Sequence, residues 1–249
     1  MKKILPFILL LFMACQKEPN SLTTYVNPFI GTGGHGHTYP GASTPFGMVQ
    51  LSPDSRLDGW DGCGGYHYSD SIIYGFSHTH LSGTGVSDYG DILLIPTAGK
   101  LYLNNGSDGN PGYSSTFSHE NETATAGYYN VLLEDYNVNV ELTASQRVGF
   151  HKYTFPESKD AHIILDMVYN VYHHNNKNVW TFIRVENDSL VTGYRQTKGW
   201  ARTRKVFFAM KFSKAFKSYG HKKYNEETYD GFYRRFKQDK DSISILASS

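Results

Sequence analysis

The feature that most constrains the fold is a series of short segments with strand-like patterns, separated by turn residues, along most of the chain. Residues 148–155, VGFHKYTF, alternate apolar and polar side chains with a period of two, as a half-exposed strand does. Asn187-Asp188 separates two such segments as a hairpin turn would. No segment has the pattern of an amphipathic helix longer than two turns. Strands at a spacing of roughly 8–12 residues predict an all-β chain, folded as a large antiparallel β-sandwich.

The strand predictions can be placed along the chain, with a loop rich in Asn, Gly and Ser at 103–118. There is no internal repeat and no interdomain linker. The predicted strands cover residues 46–51 (closed by Ser52-Pro53-Asp54), 71–77, 91–96, 127–134, 138–144, 147–155, 162–167, 179–185, 190–196 and 206–212.

Charge and aromatic content narrow the class of partner. The net charge is +1 and the basic residues are scattered, whereas a nucleic-acid-binding protein needs a concentrated basic patch. We therefore expect no nucleic acid partner. Aromatic residues make up 15% of the chain, including 19 tyrosines. Most of them fit strand propensity, and a few are candidates for stacking on sugars.

The N-terminus has the pattern of a lipoprotein signal peptide. Two lysines precede a short apolar core at 4–13, and Phe12-Met13-Ala14-Cys15 is similar to a bacterial lipobox. The apolar run is too short to cross a hydrocarbon layer of about 30 Å. We expect cleavage before Cys15 and lipidation of its thiol, so that residues 1–22 are signal peptide and tether and residues 23–249 form the β domain. The protein would then be exported and anchored to a membrane; the alternative is an ordinary signal peptide with an incidental cysteine.

Residues 25–87 are crowded with glycine, histidine and aromatic side chains and have almost no periodic apolar pattern. Such a stretch predicts ordered loops on short strands, which is where functional residues usually lie. Within it, residues 56–68 read RLDGWDGCGGYHY, which contains the elements of a sugar subsite. An indole packs on the CH face of a sugar, carboxylate and guanidinium groups bind its hydroxyls, and glycines allow close approach. The alternative is that Trp60 fills the core and the two aspartates cap turns.

The histidines allow a metal-site hypothesis. His35 and His37 are spaced i, i+2, as are His78 and His80, and His67 lies between the pairs. Two residues at this spacing on a strand point to the same face, so each pair could present two imidazoles to zinc. No Asp, Glu or third His completes an evident set. The glycine-rich flanks fit equally well with histidines bonded to sugar hydroxyls or to the backbone.

Neither Cys63 nor the nearby aspartates supplies a catalytic group. With Cys15 lipidated, Cys63 has no cysteine partner, so it is either a small buried apolar residue or part of a site. Asp58 and Asp61 are three residues apart on one loop, and we reject them as an acid and base pair because such a pair flanks the glycosidic bond from opposite sides. We assign no catalytic carboxylate.

Three segments in order carry a resemblance to a known family. The succession VNPFIGTGG, GHTYPGASTPFGMVQLSPD and GYHYSDSIIYGFSHTHLSGTGVSDYGDILLIPTAG strongly resembles the N-terminal domain of glycoside hydrolase family 92. The specific match covers about residues 25–99, and the β-rich remainder to about residue 216 fits that domain in type. Members of the family are calcium-dependent, inverting, exo-acting α-mannosidases.

The resemblance implies a fold and a division of labour. The family's N-terminal domain is a supersandwich similar to galactose mutarotase, followed by an (α/α)6 barrel that carries the general acid, the general base and most calcium ligands. The β domain lends loops to the mannose pocket, and the matching positions are 58–68 and His78-Thr79-His80. The expected substrate-binding residues are Arg56, Asp58, Trp60, Asp61, Gly62, Cys63, His78 and His80.

The resemblance also sets an expectation about completeness. Nothing in the 249 residues supplies the barrel, and residues 237–249 end on a strand-like run. We expect an interrupted sequence, inactive by itself, whose partners are α-mannoside glycans and the missing barrel. The alternatives are a standalone carbohydrate-binding lipoprotein and a zinc hydrolase built on His35, His37, His78 and His80.

Overall fold

The computed structural model describes residues 21–171, 177–223 and 241–247, with side chains up to residue 220. The predicted signal peptide and Cys15 lie outside the described residues. Apart from three short 3-10 helices (Leu22–Tyr25, Trp60–Gly62 and His119–Asn121), the described chain contains strands, turns and loops. The strands are β1 Ala42–Ser43, β2 Gln50–Asp54, β3 Ile72–Ile73, β4 Gly75–Ser77, β5 Leu93–Ala98, β6 Ser115–Thr116, β7 Glu122–Thr125, β8 Tyr128–Leu133, β9 Val138–Ala144, β10 Gly149–Thr154, β11 Ala161–Asp166, β12 Asn178–Asn187, β13 Leu190–Thr197, β14 Arg204–Lys211, β15 Phe216–Lys223 and β16 Asp241–Ala247.

The strands form one central sheet and smaller sheets beside it. The central sheet has the order β1-β2-β4-β5-β11-β16-β15. A four-stranded sheet has the order β10-β9-β8-β7, a three-stranded sheet has the order β12-β13-β14, and β3 pairs with β6. Every strand pair is antiparallel. The prediction of an all-β, antiparallel fold is confirmed.

Alternate side chains of the central strands enter two different cores. The first core joins the central sheet to the four-stranded sheet through Leu93, Ile95, Ile164, Tyr129, Val131, Val140 and Leu142. The second joins it to the three-stranded sheet through Leu94, Ile163, Leu165, Val206, Phe208 and Met210. Because consecutive residues of a strand point to opposite faces and both faces are covered, β5 and β11 contain the uninterrupted apolar runs Leu93-Leu94-Ile95-Pro96 and Ile163-Ile164-Leu165 instead of alternating.

Several details of the strand prediction are wrong. The strand predicted at 46–51 begins at Gln50 and continues through Pro53 to Asp54. Phe46 is fully exposed with φ 58°, which ends any extended run there. Proline is tolerated in β2 because β1 pairs only with Gln50 and Leu51, so the strand is an edge at Pro53.

The other corrections concern elements with little apolar pattern. The strand predicted at 71–77 is divided into β3 and β4, and the loop predicted at 103–118 contains β6. Strands β7 and β15 were not predicted, because ETAT and FKSYGHKK lack the alternation expected of a half-buried strand. None of the described helices has the length and hydropathy needed to cross a bilayer.

Candidate functional site

The candidate site lies where three loops meet: the loop before β1, the loop between β2 and β3, and the loop between β4 and β5. His67 on the second loop donates from Nε2 to the carbonyl oxygen of Gly34 on the first, at 3.0 Å. Gly83 on the third loop donates its backbone N–H to the carbonyl oxygen of His37, at 2.7 Å. The three loops are thus fixed to one another by buried or half-buried hydrogen bonds, although they are far apart in sequence.

A tight turn presents Trp60 to solvent. Gly59 has φ 77°, a conformation that glycine adopts without strain, and it leads into the 3-10 helix Trp60–Gly62. The turn closes on Cys63, whose Sγ donates to the carbonyl oxygen of Trp60 at 2.7 Å while the residue is 3% exposed. A Cβ at Gly62 would lie 2.9 Å from Cγ of Arg56, so the turn packs too closely for a side chain there. Gly62 and Cys63 are buried, whereas Trp60 is 59% exposed.

Residues of the other two loops contact this indole. The ring of His37 meets the indole edge to face, with centroids 4.3 Å apart. The backbone of Gly85 lies directly against the indole, because a Cβ built there would be 2.2 Å from Trp60 Nε1. Trp60 therefore packs on one side and leaves the rest of its ring to solvent.

Polar groups stand next to the indole. Asp61 accepts a hydrogen bond from His35 Nδ1 at 3.0 Å, and that bond, with smaller contributions from the charges of His35 and His37, lowers the pKa of Asp61. Nε2 of His37 lies 3.6 Å from the same carboxylate oxygen. This nitrogen is buried and has no hydrogen-bond partner. The site thus combines an apolar ring, an ionised carboxylate and a buried imidazole nitrogen without a hydrogen-bond partner.

Two further residues of the predicted sugar subsite have different roles. Arg56 binds Asp70 by donating from Nε to both carboxylate oxygens, at 3.1 and 3.2 Å. Its Nη2 donates to Ser69 Oγ at 3.0 Å. Its guanidinium braces the base of the loop. Asp58 is exposed, one residue before the Gly59 turn.

His78 and His80 lie inside the protein with their ring nitrogens bonded. His80 has a fully buried side chain that bonds the carbonyl oxygen of Gln50 at 2.8 Å and Asp54 Oδ1 at 3.1 Å. Nδ1 of His78 donates to the carbonyl oxygen of Ile92 at 2.6 Å. The i, i+2 spacing predicts two residues on one strand face, but His78 and His80 follow β4 in the loop to β5, and their ring nitrogens are bonded to protein groups with none left for a ligand.

His78 also begins a chain of hydrogen bonds to β10. Since its Nδ1 carries the proton, its Nε2 accepts from His151 Nε2 at 3.0 Å, and His151 Nδ1 accepts from the Tyr153 hydroxyl at 2.7 Å. Both imidazoles are neutral in this arrangement. Burial lowers the pKa of His78, and burial together with the neighbouring His78 lowers the pKa of His151 well below its usual range.

The third loop is anchored by a buried ionic cluster that sequence reasoning did not identify. Arg195 is 0% exposed and donates to the carbonyl oxygen of Gly90 at 2.8 Å and to Asn178 Oδ1 at 2.7 Å. Asp91 accepts from Arg204 at 3.0 Å. Arg195 lies among polar residues of β13 and Arg204 begins β14 next to Lys205, so nothing in the sequence distinguishes them from residues of a solvated face.

The metal hypothesis finds no matching cluster in the part of the chain that the structure describes. No three His, Cys, Asp or Glu side chains there are grouped so that they could hold an ion. His35 and His37 share Asp61, whereas His78 and His80 are bonded elsewhere. The described residues therefore fit neither the zinc site considered above nor a complete calcium site.

An antiparallel β-sandwich whose ordered loops expose an indole beside a carboxylate is suited to binding carbohydrate. Comparison with known proteins identifies the family: the model for the glycosyl hydrolase family 92 N-terminal domain matches residues 25–246. The chain belongs to glycosyl hydrolase family 92, within which it matches the N-terminal domain.

Solved structures with this fold come from the same family. The GH92 alpha-mannosidase BT3965 from Bacteroides thetaiotaomicron, solved in complex with mannoimidazole, is 38% identical with a TM-score of 0.80 over 91% of this chain and 30% of its own. The GH92 inverting mannosidase BT2199 from the same organism is 29% identical with a TM-score of 0.70, over 91% of this chain and 29% of its own.

A curated relative extends the comparison beyond solved structures. An uncharacterized secreted glycosidase from Arthroderma benhamiae is 30% identical over 153 residues, which are 61% of this chain and 19% of that protein. The chain therefore spans less than a third of the length of each of these relatives.

Proposed function

We propose that this chain forms one wall of the mannose-binding pocket of a glycan-degrading α-mannosidase that hydrolyses its substrate with inversion and depends on calcium. The observation that carries the proposal is the exposed Trp60 indole with Asp61 and the unpartnered His37 Nε2 beside it. Support comes from the GH92 relatives, two of which are described as mannosidases.

Each residue of the pocket has a distinct task in this proposal. The indole of Trp60 packs on the CH face of the sugar, and the carboxylate of Asp61 accepts hydrogen bonds from its hydroxyls. Nε2 of His37 forms a hydrogen bond with a sugar hydroxyl that approaches the edge of the indole. Gly62 and Cys63 hold the turn in shape, and Arg56 braces it from behind.

The calcium ion and the two catalytic carboxyl groups are assigned to no residue of this chain. Calcium takes six to eight oxygen ligands, among them carboxylates, and no three Asp, Glu, His or Cys side chains of the described residues are grouped so that they could hold an ion. In our proposal these groups belong to the portion of the longer relatives that this chain does not span, and the β-sandwich contributes binding and orientation of the sugar.

Export and anchoring complete the proposal. The secreted relative supports export, and the lipobox at Cys15 supports a lipid anchor on the exported protein. Both fit an enzyme that meets glycans outside the cytoplasm.

Titration with α-mannobiose, followed by NMR because that method detects weak binding, tests the proposed pocket. We expect saturable binding that Trp60→Ala abolishes and that His37→Ala weakens. The matched control is Phe207→Ala, which removes an equally exposed aromatic side chain from β14. Binding that survives Trp60→Ala unchanged would place the sugar elsewhere.

A further inference from the structure

Trp200 is a second exposed tryptophan, located on the loop between β13 and β14. Its side chain is 62% exposed, close to the 59% of Trp60. The remaining tryptophan of the chain, Trp180, is half-buried. A single exposed aromatic residue on a protein surface is ordinary and does not define a site. The argument for Trp200 depends on how its backbone is held and on what lies beside it.

The backbone at Trp200 is fixed to a buried carboxylate. The N–H of Trp200 donates to Asp88 Oδ2 at 3.3 Å, and the Gly199 backbone packs so closely that a Cβ there would be 2.7 Å from Asp88 Oδ1. Asp88 is 3% exposed and pairs with Lys177 at 3.5 Å and Arg204 at 3.3 Å. The indole is therefore presented on a pre-organised backbone, which lowers the entropy lost when a ligand binds.

The same segment that holds Trp200 also supports the candidate sugar site. Gly85 packs against the indole of Trp60, and Asp88 follows three residues later. Three residues span at most about 11 Å, so the two exposed indoles flank one short segment. Val86, which lies between these two contact points, is 48% exposed and apolar. Trp60, Val86 and Trp200 are thus three exposed apolar side chains that lie on residues 85–88 or are held by them.

We propose that Trp200 forms an outer subsite that stacks on a further sugar ring of a glycan whose terminal mannose lies against Trp60. The inference rests on the proposed function, because it takes the Trp60 pocket as the point where the glycan begins. An oligosaccharide is the occupant because one short segment, residues 85–88, contacts the indole of Trp60 and also holds the backbone of Trp200. The exposed indole of Trp200 offers a ring face to the CH groups of a sugar, and the surrounding loop at 198–203 is exposed and polar.

The indole N–H signals of the full chain give a direct test. Because the chain has three tryptophans, a ¹H–¹⁵N spectrum resolves one indole signal each for Trp60, Trp180 and Trp200. We expect methyl α-mannoside to shift the Trp60 signal alone. An α-linked mannotriose should shift the signals of Trp60 and Trp200 and leave that of Trp180 in place.

Variants separate the outer subsite from the inner pocket. Trp200→Ala should weaken mannotriose binding by roughly five- to tenfold and leave methyl α-mannoside binding unchanged, and Trp200→Phe should restore part of the loss. Phe207→Ala should change neither affinity. A mannotriose titration that saturates the Trp60 signal without moving that of Trp200 would overturn the outer subsite and leave the proposed function standing. If no sugar shifts the Trp60 signal, the proposed function and the subsite both fail.

Discussion

Substitution of Gly85 by alanine should damage the sugar site without destabilising the fold. The new Cβ would lie 2.2 Å from Trp60 Nε1, whereas ordinary contacts begin at 3.4 Å, so the indole edge must move by about 1.2 Å (3.4 minus 2.2). Gly85 has no positive φ and Trp60 is largely exposed, so the ring can move into solvent. We expect a change of less than about 1 kcal/mol in the free energy of unfolding.

The Gly85→Ala substitution should instead weaken sugar binding. A displaced indole no longer stacks on a sugar held by Asp61 and His37, and the loss of about 1–1.5 kcal/mol corresponds to roughly tenfold weaker binding. Urea denaturation and an NMR titration with α-mannobiose on the same preparation measure both quantities. Gly33→Ala is the control, because its Cβ would meet Tyr68 Cβ at an ordinary 3.6 Å. Unchanged affinity in Gly85→Ala, or a destabilisation above about 2 kcal/mol, would refute the described packing of Trp60 on Gly85.

Three further predictions concern stability and anchoring. Arg195→Met should reduce the free energy of unfolding by about 3–5 kcal/mol in urea denaturation, since it removes a buried cation beside Asp91; a loss below about 1 kcal/mol would contradict this. His78 and His151 have lowered pKa values in the folded state, so below about pH 6.5 these histidines bind protons in the unfolded chain and remain neutral in the folded one. The free energy of unfolding therefore falls on acidification, by up to about 1.4 kcal/mol per pH unit for each histidine. His151→Gln should flatten that slope between pH 6.5 and 5, and an unchanged slope would exclude the pair as its cause. Cys15→Ala should move the protein from the membrane to the soluble fraction and remove acylation detected by mass spectrometry; an unchanged distribution would exclude the anchor.

The strands that sequence reasoning located best are those with one buried face. β9 matches its predicted bounds, β8 is one residue shorter at each end and β13 is one residue longer at its end, because one face packs on a core and the other does not. β15 contains three lysines in eight residues, and β7 is four residues long, so neither carries a periodic signal. Their positions depend on pairing with strands remote in sequence.

The site was predictable in its composition and not in its geometry. RLDGWDGCGGYHY indicates an ordered loop with an exposed aromatic residue, and Trp60 and Asp61 lie together as expected. Which histidines accompany them depends on loop contacts. His35 and His37 lie beside Asp61, while the equally spaced His78 and His80 face backbone carbonyls. The contact of Gly85 with the indole has no local sequence signal.

Saturation-transfer NMR on α-mannobiose, compared between the wild-type chain and Trp60→Ala, tests the central claim most directly. The account predicts transfer from wild-type protein to the CH protons of the sugar face that packs on the indole, and none from the variant, with urea denaturation confirming that the variant is folded. Equal transfer from both proteins, or no transfer from the wild type, would contradict the assignment of the Trp60 turn as a mannose-binding surface.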